Sequence, residues 1–444
     1  MSVCIVRVTG DIVNNPASLQ KFSHFISQKK GSKVIVASAL PDIFRLVSEA
    51  IEQVHDEGFS TGRVKTGLHD TWERVGGSAS SQGYNEQSKN LTNLLKGIHL
   101  TGDYSPALRD NVLSYSEILT SWLLGYKLQE AGFDITLRLP ADLGLTVSDD
   151  YGNATFFSLG KSGWPASDEN SLQIIPGSHG ITAGGKVART GKSAADYTAA
   201  FLASVLGADR LVLFGSTREF YAADRAIVQE ARKIDRLTYA EASELAYFDH
   251  FSLHPRAVEP LIRQHIPIHY IHASNDEFEP ETVINSENYV SERIIKSVAS
   301  TSDISILRLN GPGVGLKPGI LARITAKLSE ASINIKSVIT SQVSINILLE
   351  RKSGPGAVKA AGEVGFTAVS EIELLDDVAL LAIVGHGMQH NYGISATLFG
   401  AVARNNINVI LSGSGASDLV SYLVVSQADK EKSVRAIYDA FFKK

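Results

Sequence analysis

Residues 3–42 read VCIVRVTGDIVNNPASLQKFSHFISQKKGSKVIVASALPD. Two runs in it, Val3–Val8 and Lys33–Ala37, are apolar almost without alternation, as strands buried on both faces are. Between them Asn15-Pro16-Ala17-Ser18 opens a helix with Leu19, Phe22, Phe25 and Ile26 on one face, and Gly31 ends it. The second strand breaks at Ser38-Ala39-Leu40-Pro41, and another helix begins near Asp42. Strand, helix, strand, helix with such strands means an α/β fold, a mainly parallel sheet covered on both faces as a three-layer α/β/α sandwich. Leu211–Phe214 and Pro267–His272 read as further strands. In such sheets ligands sit beyond the carboxyl ends of the strands. Those ends are Thr9–Val13, Ser38–Asp42 and Phe214–Glu219.

At 444 residues the length suggests about three domains. Hydrophobic residues make up 44% of the chain and charged ones 20%, an ordinary globular balance. A net charge of −5 gives no electrostatic case for nucleic acid or an acidic membrane surface. A lone Cys4 excludes an internal disulfide and a cysteine-rich metal site. His269 and His272 fall on alternate sides of a strand without a third ligand, so no metal site is expected. With neither a cationic leader nor a run approaching about 18 apolar residues, a cytoplasmic protein is expected.

Residues 184–200, GGKVARTGKSAADYTAA, form a glycine-rich turn that delivers a helix N-terminus. Free backbone N–H groups and the helix dipole suit that end to an anion, and the turn brings Arg189 and Lys192. Asp196 stands as an N-cap or first-turn acid. Gly191-Lys192-Ser193 does not complete a phosphate loop, because the glycine required at position 186 is Lys186. Residues 60–95 are polar and glycine-bearing, which predicts a mobile loop or a loosely packed helical excursion. Leu113–Leu128 reads as a long helix with Glu117 near its start, where a carboxylate usually complements the dipole. Leu237–Ala246 reads as a helix and Leu253–Val258 as a second one. The acidic loop Asn275–Glu281 closes the domain near residue 298.

The tail repeats itself. Gly313–Ile320 leads into helix Leu321–Ala331 and then Ile333-Asn334-Ile335. Gly385–Met388 and Gly393-Ile394 lead into a helix to Asn405 and then Ile407-Asn408-Val409. Gly319 pairs with Gly393 and Asn334 with Asn408 in one register. Each unit reads as a ferredoxin-like βαββαβ sandwich.

In this order the residues resemble an aspartokinase, an amino-acid-kinase domain followed by two ACT domains, over essentially the whole chain. The likeness lies in GPGVGLKPGILARITAKLSEASINIKSVITSQVS (311–344), in LTYAEASELA (237–246) and LHPRAVEPLIRQHIPIHYIHASNDEFEPETVI (253–284), in SEILTSWLLGYKLQEAGF (116–133) and in Asp196-Tyr197-Thr198-Ala199-Ala200. The resemblance implies domains at 1–298, 299–376 and 377–444, with the two ACT units possibly interleaved. It implies ATP-dependent phosphorylation of the side-chain carboxylate of L-aspartate, with ATP and Mg²⁺ as cofactors and an amino acid, lysine or threonine, as effector. A homodimer joined through the tail is expected. Departures from the family pattern stand at the phosphate and nucleotide segments. Thr9 and Asp11 follow Arg7 and flank Gly10, Lys192-Ser193-Ala194 replace an arginine and glycines, Ser216 and Arg218 replace aspartates, and Phe251 replaces a lysine.

These residues define the expected site. Arg7, Lys192 and Asp196 form the catalytic set, with Ser38, Glu117 and Lys192 on the substrate and Glu117 taking its α-ammonium. Gly10, Ser216 and Arg218 meet the nucleotide, with weak or displaced ATP expected. Gly315, Gly319, Asn334, Ser341 and Gln342 meet the effector, and the second tail loop, with His386, His390 and Tyr392, is the poorer site. Arg7, Ser38, Glu117, Lys192 and Asp196 are expected to converge on one cleft. Two other readings stand beside this one: a non-catalytic amino-acid sensor on a kinase scaffold, and a kinase-fold enzyme with another acceptor.

Overall fold

The computed structural model describes residues 3–29, 31–76, 81–160, 172–216, 220–248, 251, 253–287, 294–315, 317–365, 367–414 and 417–443. They form two compact units, 1–220 with 235–246 and 252–289, and 221–234 with 247–251 and 290–444.

The first unit is built on an eight-stranded sheet. From edge to edge its strands are Arg236–Thr238, Thr282–Asn285, Ile268–His272, Leu211–Gly215, Val3–Val8, Ser32–Ala37, Leu172–Pro176 and Ile135–Leu137. Every pairing is parallel except that of Ile268–His272 with Thr282–Asn285. Val3–Val8 lies centrally, in register with Ser32–Ala37 on one side and Leu211–Gly215 on the other. The chain leaves it in opposite directions, which opens a crevice at the carboxyl ends of these strands. Alternate side chains sort to two faces. Val6, Val8, Ile35, Ala37, Val212 and Phe214 join the core that holds helices Pro16–Ser27, Pro41–Glu52 and Pro106–Glu130. Helix Ala194–Val205 packs on the opposite face, where Ala195 lies against Val36 across Gly177.

Residues 60–95 are not a loop. They hold most of two regular helices, Gly62–Val75 and Gln82–Thr101, with residues 77–80 outside the described ones. Trp72 packs its ring 4.7 Å from Tyr84 and 5.0 Å from Tyr126, and the Tyr84 hydroxyl donates to Leu68 O at 2.9 Å. Leu237–Ala246 divides into strand Arg236–Thr238 and helix Tyr239–Leu245, joined by a capping box between Thr238 and Glu241. The segment at Leu253–Val258 forms turns that lead to the short helix Glu259–Ile262. No helix among the described residues is long and apolar enough to cross a membrane.

In the second unit two four-stranded antiparallel sheets share one order. One runs Ile335–Thr340, Ser344–Leu349, Ser305–Asn310, Glu371–Leu375, and the other runs Leu411–Gly413, Val420–Ser426, Val378–Val384, Ser297–Thr301. Ser297–Thr301 precedes the whole first sheet in sequence yet completes the second, so the units are interleaved. The repeat extends to backbone devices. Gly313 and Gly387, Gly319 and Gly393, and Ser332 and Asn406 share positive φ angles at matching positions. A methyl at Gly311 would strike the Ala368 carbonyl, and one at Gly385 the Ile294 carbonyl. Gly385→Ala should therefore lower the melting temperature more than Gly393→Ala. The latter meets nothing within 4 Å and bears only the left-handed backbone cost of about 1–2 kcal/mol. Equal losses in the two variants would contradict the steric reading.

Candidate active site

A hollow of about 690 Å³ opens in the first unit, its lining including Ser38, Phe44, Asp110, Glu117, Arg189 and Lys192. Glu117 and Arg189 form an ion pair within it, Oε1 to Nη2 at 2.8 Å, with side chains 7% and 10% exposed. Helix Pro106–Glu130 starts earlier than its apolar pattern suggests, because Ser105 caps it and Pro106 is its first residue. Glu117 thus stands mid-helix rather than in the first turn, so the dipole does not account for it. Arg189 ends strand Val187–Arg189, which pairs with His179–Ile181. Burial pushes the Glu117 carboxyl above the ordinary range, opposed by the Arg189 cation. Arg189 Nε has no hydrogen-bond partner in the protein, while the Glu117 carboxylate also draws on the Ser178 side chain. A group left unpaired is costly inside a protein, and beside a cleft it is capacity for a ligand.

Ser38, Glu117 and Lys192 share this cleft, whereas Arg7 and Asp196 are not among its lining residues. Arg7 is 1% exposed and points to the face carrying helix Ala194–Val205, where its Nε meets Asp196 Oδ1 at 2.7 Å. The five residues therefore do not all face one hollow. Asp196 occupies the first turn of its helix, as its sequence position suggests, but it is fully buried. Its second oxygen accepts the His254 N–H at 3.1 Å. Together these bonds fasten the helix to the central strand and to the residues that follow Leu253.

At the carboxyl ends of Val3–Val8 and Leu211–Gly215 the Ser216 hydroxyl donates to Asp11 Oδ2. His272 Nε2 lies 3.0 Å from Ser216 O. Gly10 needs its lack of a side chain for an internal reason, since a Cβ would strike the Ala39 carbonyl and Leu40 N. Arg218 lies outside the described residues. Phe251 is buried, 5% exposed.

In the tail, Gly315 N–H donates to Gln342 O at 3.0 Å, and a Cβ on Gly315 would press on Ser341 O and Gln342. The Ser341 hydroxyl accepts from Val343 N and Ser344 N at 3.3 and 3.1 Å, which ties it to its own hairpin. Gly319 caps helix Ile320–Glu330 in the left-handed conformation, and Asn334 is exposed. In the second unit the Gln389 N–H donates to Asp418 Oδ1, and Tyr392 is fully exposed.

Sequence reasoning missed Asp110 and the burial of His179. Two turns before Glu117 on the same helix, Asp110 had a spacing that could have marked it. Burial of the His179 imidazole, with Arg189 nearby, lowers its pKa from 6.5 to about 3. Below pH 6.5 the unfolded chain takes up a proton that the folded ring refuses, so this group removes stability as pH falls toward 3. His179→Gln should flatten that limb in urea titrations between pH 7 and about 4. An unchanged slope would remove His179 from the account.

Comparison with known proteins places this geometry in context. Residues 2–272 match the model of the amino acid kinase family, and residues 299–360 and 381–441 each match an ACT domain. Aspartokinase 2 of Bacillus subtilis is 28% identical over 339 residues, 75% of this chain and 82% of that protein. The bifunctional aspartokinase/homoserine dehydrogenase of Haemophilus influenzae is 30% identical over 274 residues, 59% of this chain and 33% of that protein. The chain likewise spans only 40% and 41% of the length of two bifunctional relatives from Arabidopsis thaliana. Aspartokinase III of Escherichia coli, solved with aspartate and ADP in the R-state, superposes over 100% of both chains with a TM-score of 0.82 at 21% identity. The same enzyme with lysine and aspartate in the T-state gives 0.70 at 20% identity over 99% of each chain. These structural likenesses show the fold, and the sequence matches show the lineage: the chain belongs to the amino acid kinase family, with two ACT domains behind the kinase fold.

Proposed function

We propose that this chain is an aspartokinase, transferring the γ-phosphoryl group of ATP to the side-chain carboxylate of L-aspartate under the control of a free amino acid bound at the tail. The observation that carries this reading is the buried Glu117–Arg189 pair in the wall of the cleft. An α-amino acid complements such a pair, its ammonium on the Glu117 carboxylate and its α-carboxylate on the Arg189 guanidinium. Lys192 and Ser38, in the same cleft, are then placed for the reacting carboxylate and the transferred phosphate. The relatives named aspartokinase and the aspartate-bound neighbour support the substrate.

ATP, when bound, supplies the phosphoryl group, and Mg²⁺ neutralises its charge. Phosphates fit Lys192 and the N-terminus of helix Ala194–Val205, whose backbone donors and dipole favour anions. The Asp11–Ser216 end fits them poorly, because a carboxylate there opposes an anion. Arg7 acts through Asp196, as a buried tie beneath the anion-facing turn. The Asp11–Ser216 contact favours the second reading, an amino-acid sensor on a kinase scaffold. A cytoplasmic homodimer joined through the tail, with domains at 1–298, 299–376 and 377–444 and the interleaving described above, completes the proposal.

Calorimetry with MgATP and L-aspartate tests the enzyme. Weak nucleotide binding and clear aspartate binding are expected, and no nucleotide binding with or without Mg²⁺ would sink the catalytic reading in favour of the sensor. Glu117→Gln should raise the KM for L-aspartate on the order of 10- to 100-fold, the worth of a hydrogen bond to a charged group. Because the ammonium needs an ionised partner and Glu117 holds its proton to higher pH than usual, aspartate binding should fade on acidification before ordinary carboxylates titrate. Glu117→Gln should abolish that dependence.

The effector site is proposed at the loop Gly313–Gly319 and the start of helix Ile320–Glu330, with Gly315, Asn334, Ser341 and Gln342 around it. In a thermal-shift screen of the twenty amino acids, lysine or threonine should raise the melting temperature, since a ligand of the native state alone must do so. Asn334→Ala should shrink the shift. No shift at millimolar concentration by any amino acid would remove the regulatory role.

A further inference from the structure

The cleft's arginine is held at more than its charged end. Arg189 N–H donates to Asp110 Oδ2 at 2.8 Å, and Ala154 N–H donates to Arg189 O at 2.9 Å. The same Asp110 oxygen accepts the Gly152 N–H at 2.7 Å. Asp110 and Glu117 lie two turns apart on one face of helix Pro106–Glu130. That single face grips Arg189 twice, by its main chain through Asp110 and by its guanidinium through Glu117. Asp110 is 2% exposed, and burial raises its pKa against the pull of those two N–H groups and of Arg189. A buried carboxylate bonded to backbone N–H groups on two other segments is an expensive way to end a strand. Its distinctive effect is to fix Arg189 and the turn at Gly152, both of which line the cleft.

We infer that Asp110 is a positioning residue for the amino-acid site: it locks the main chain of Arg189 and the Gly152 turn, so that the Arg189 guanidinium is already oriented on Glu117 when the ligand's α-carboxylate arrives. This rests on reading the Glu117–Arg189 pair as an amino-acid site. Preorganisation of this kind lowers the ordering cost of binding and leaves the contacts themselves unchanged. Its loss is felt on the ligand that uses Arg189 and not on the nucleotide.

The test uses the full-length protein with Asp110→Ala and the isosteric Asp110→Asn. Amide hydrogen exchange in the absence of ligand should quicken at Gly152 and Arg189 in Asp110→Ala and to a lesser degree in Asp110→Asn, which keeps one acceptor oxygen. In both variants the KM for L-aspartate should rise, about ten- to a hundredfold in the alanine variant, as displacement of a supporting residue does. The KM for MgATP should stay that of the wild type. Unchanged exchange at Arg189 would overturn the inference. So would faster exchange with an unchanged KM for aspartate, or an equal rise in both KM values, which would make Asp110 merely structural. If the wild type binds no L-aspartate, the amino-acid reading of the site fails, and the exchange data still decide whether Asp110 fixes Arg189.

Discussion

The first unit depends on one buried ion pair. Arg7 sits on the central strand of a parallel sheet with 1% of its surface exposed, and Asp196 meets it from the helix above. Removing two charges from water costs several kcal/mol each, and only close pairing with further hydrogen bonds recovers it. Asp196 obtains one of these from the His254 N–H, and His254 Nε2 lies 2.9 Å from Thr190 O. Strand Val3–Val8, the turn at Thr190, helix Ala194–Val205 and the segment after Leu253 are thereby drawn to one point from across the sequence. Gly177 permits the approach, since a side chain there would press on Val36 and Ala195. The turn that carries Lys192 into the cleft is stretched between these fixed points.

A second ion pair, Glu117 with Arg189, stands by contrast at the cleft wall. The two pairs look alike in a list of residue types, a carboxylate and a guanidinium each. Their surroundings separate them. Arg7 and Asp196 lie beneath helix Ala194–Val205, and their contact serves the packing of that helix. Glu117 and Arg189 line a hollow, and Arg189 Nε there has no hydrogen-bond partner in the protein. Phe44 faces the Arg189 guanidinium at 5.7 Å, so an apolar wall limits how water can screen the charge. What separates the pairs is that Glu117 and Arg189 line the cleft whereas Arg7 and Asp196 do not.

This difference explains what could be read from the sequence and what could not. The parallel sheet was legible because Val3–Val8 and Lys33–Ala37 are apolar without alternation, and the tail because its glycines recur where the chain needs positive φ. Glu117 was identifiable as a cleft residue, yet its place in the helix was misjudged, because Pro106 and Ser105 start that helix two turns before the apolar run. Arg7 and Asp196 were expected in one set, and they do meet; that the pair lies away from the Glu117 hollow is hinted at only by the strand's alternation, which turns Arg7 away from Val6 and Val8. Between residues 62 and 101 a mobile loop and a helical excursion could not be told apart, because Val64, Leu68 and Trp72, like Leu91, Leu95 and Ile98, are spaced helically but diluted by polar neighbours. Asp110 had only its spacing from Glu117 to mark it, because its partners are backbone N–H groups, which leave no mark on a sequence.

The departures from the aspartokinase pattern are not spread evenly, and their placement has a physical consequence. Those at Thr9, Asp11 and Ser216 gather at the carboxyl ends of Val3–Val8 and Leu211–Gly215, where Thr9 turns its methyl toward Gly215 and Asp11 accepts from Ser216, whereas Lys192-Ser193-Ala194 lie in the cleft itself. The wall of the cleft with Ser38, Glu117 and Arg189 is built from other elements: the end of Ser32–Ala37, helix Pro106–Glu130 and strand Val187–Arg189. Groups that share no partner contribute nearly independently to binding. On the proposed reading, the carboxylate at the Asp11–Ser216 end disfavours phosphate there without touching the Glu117–Arg189 pair.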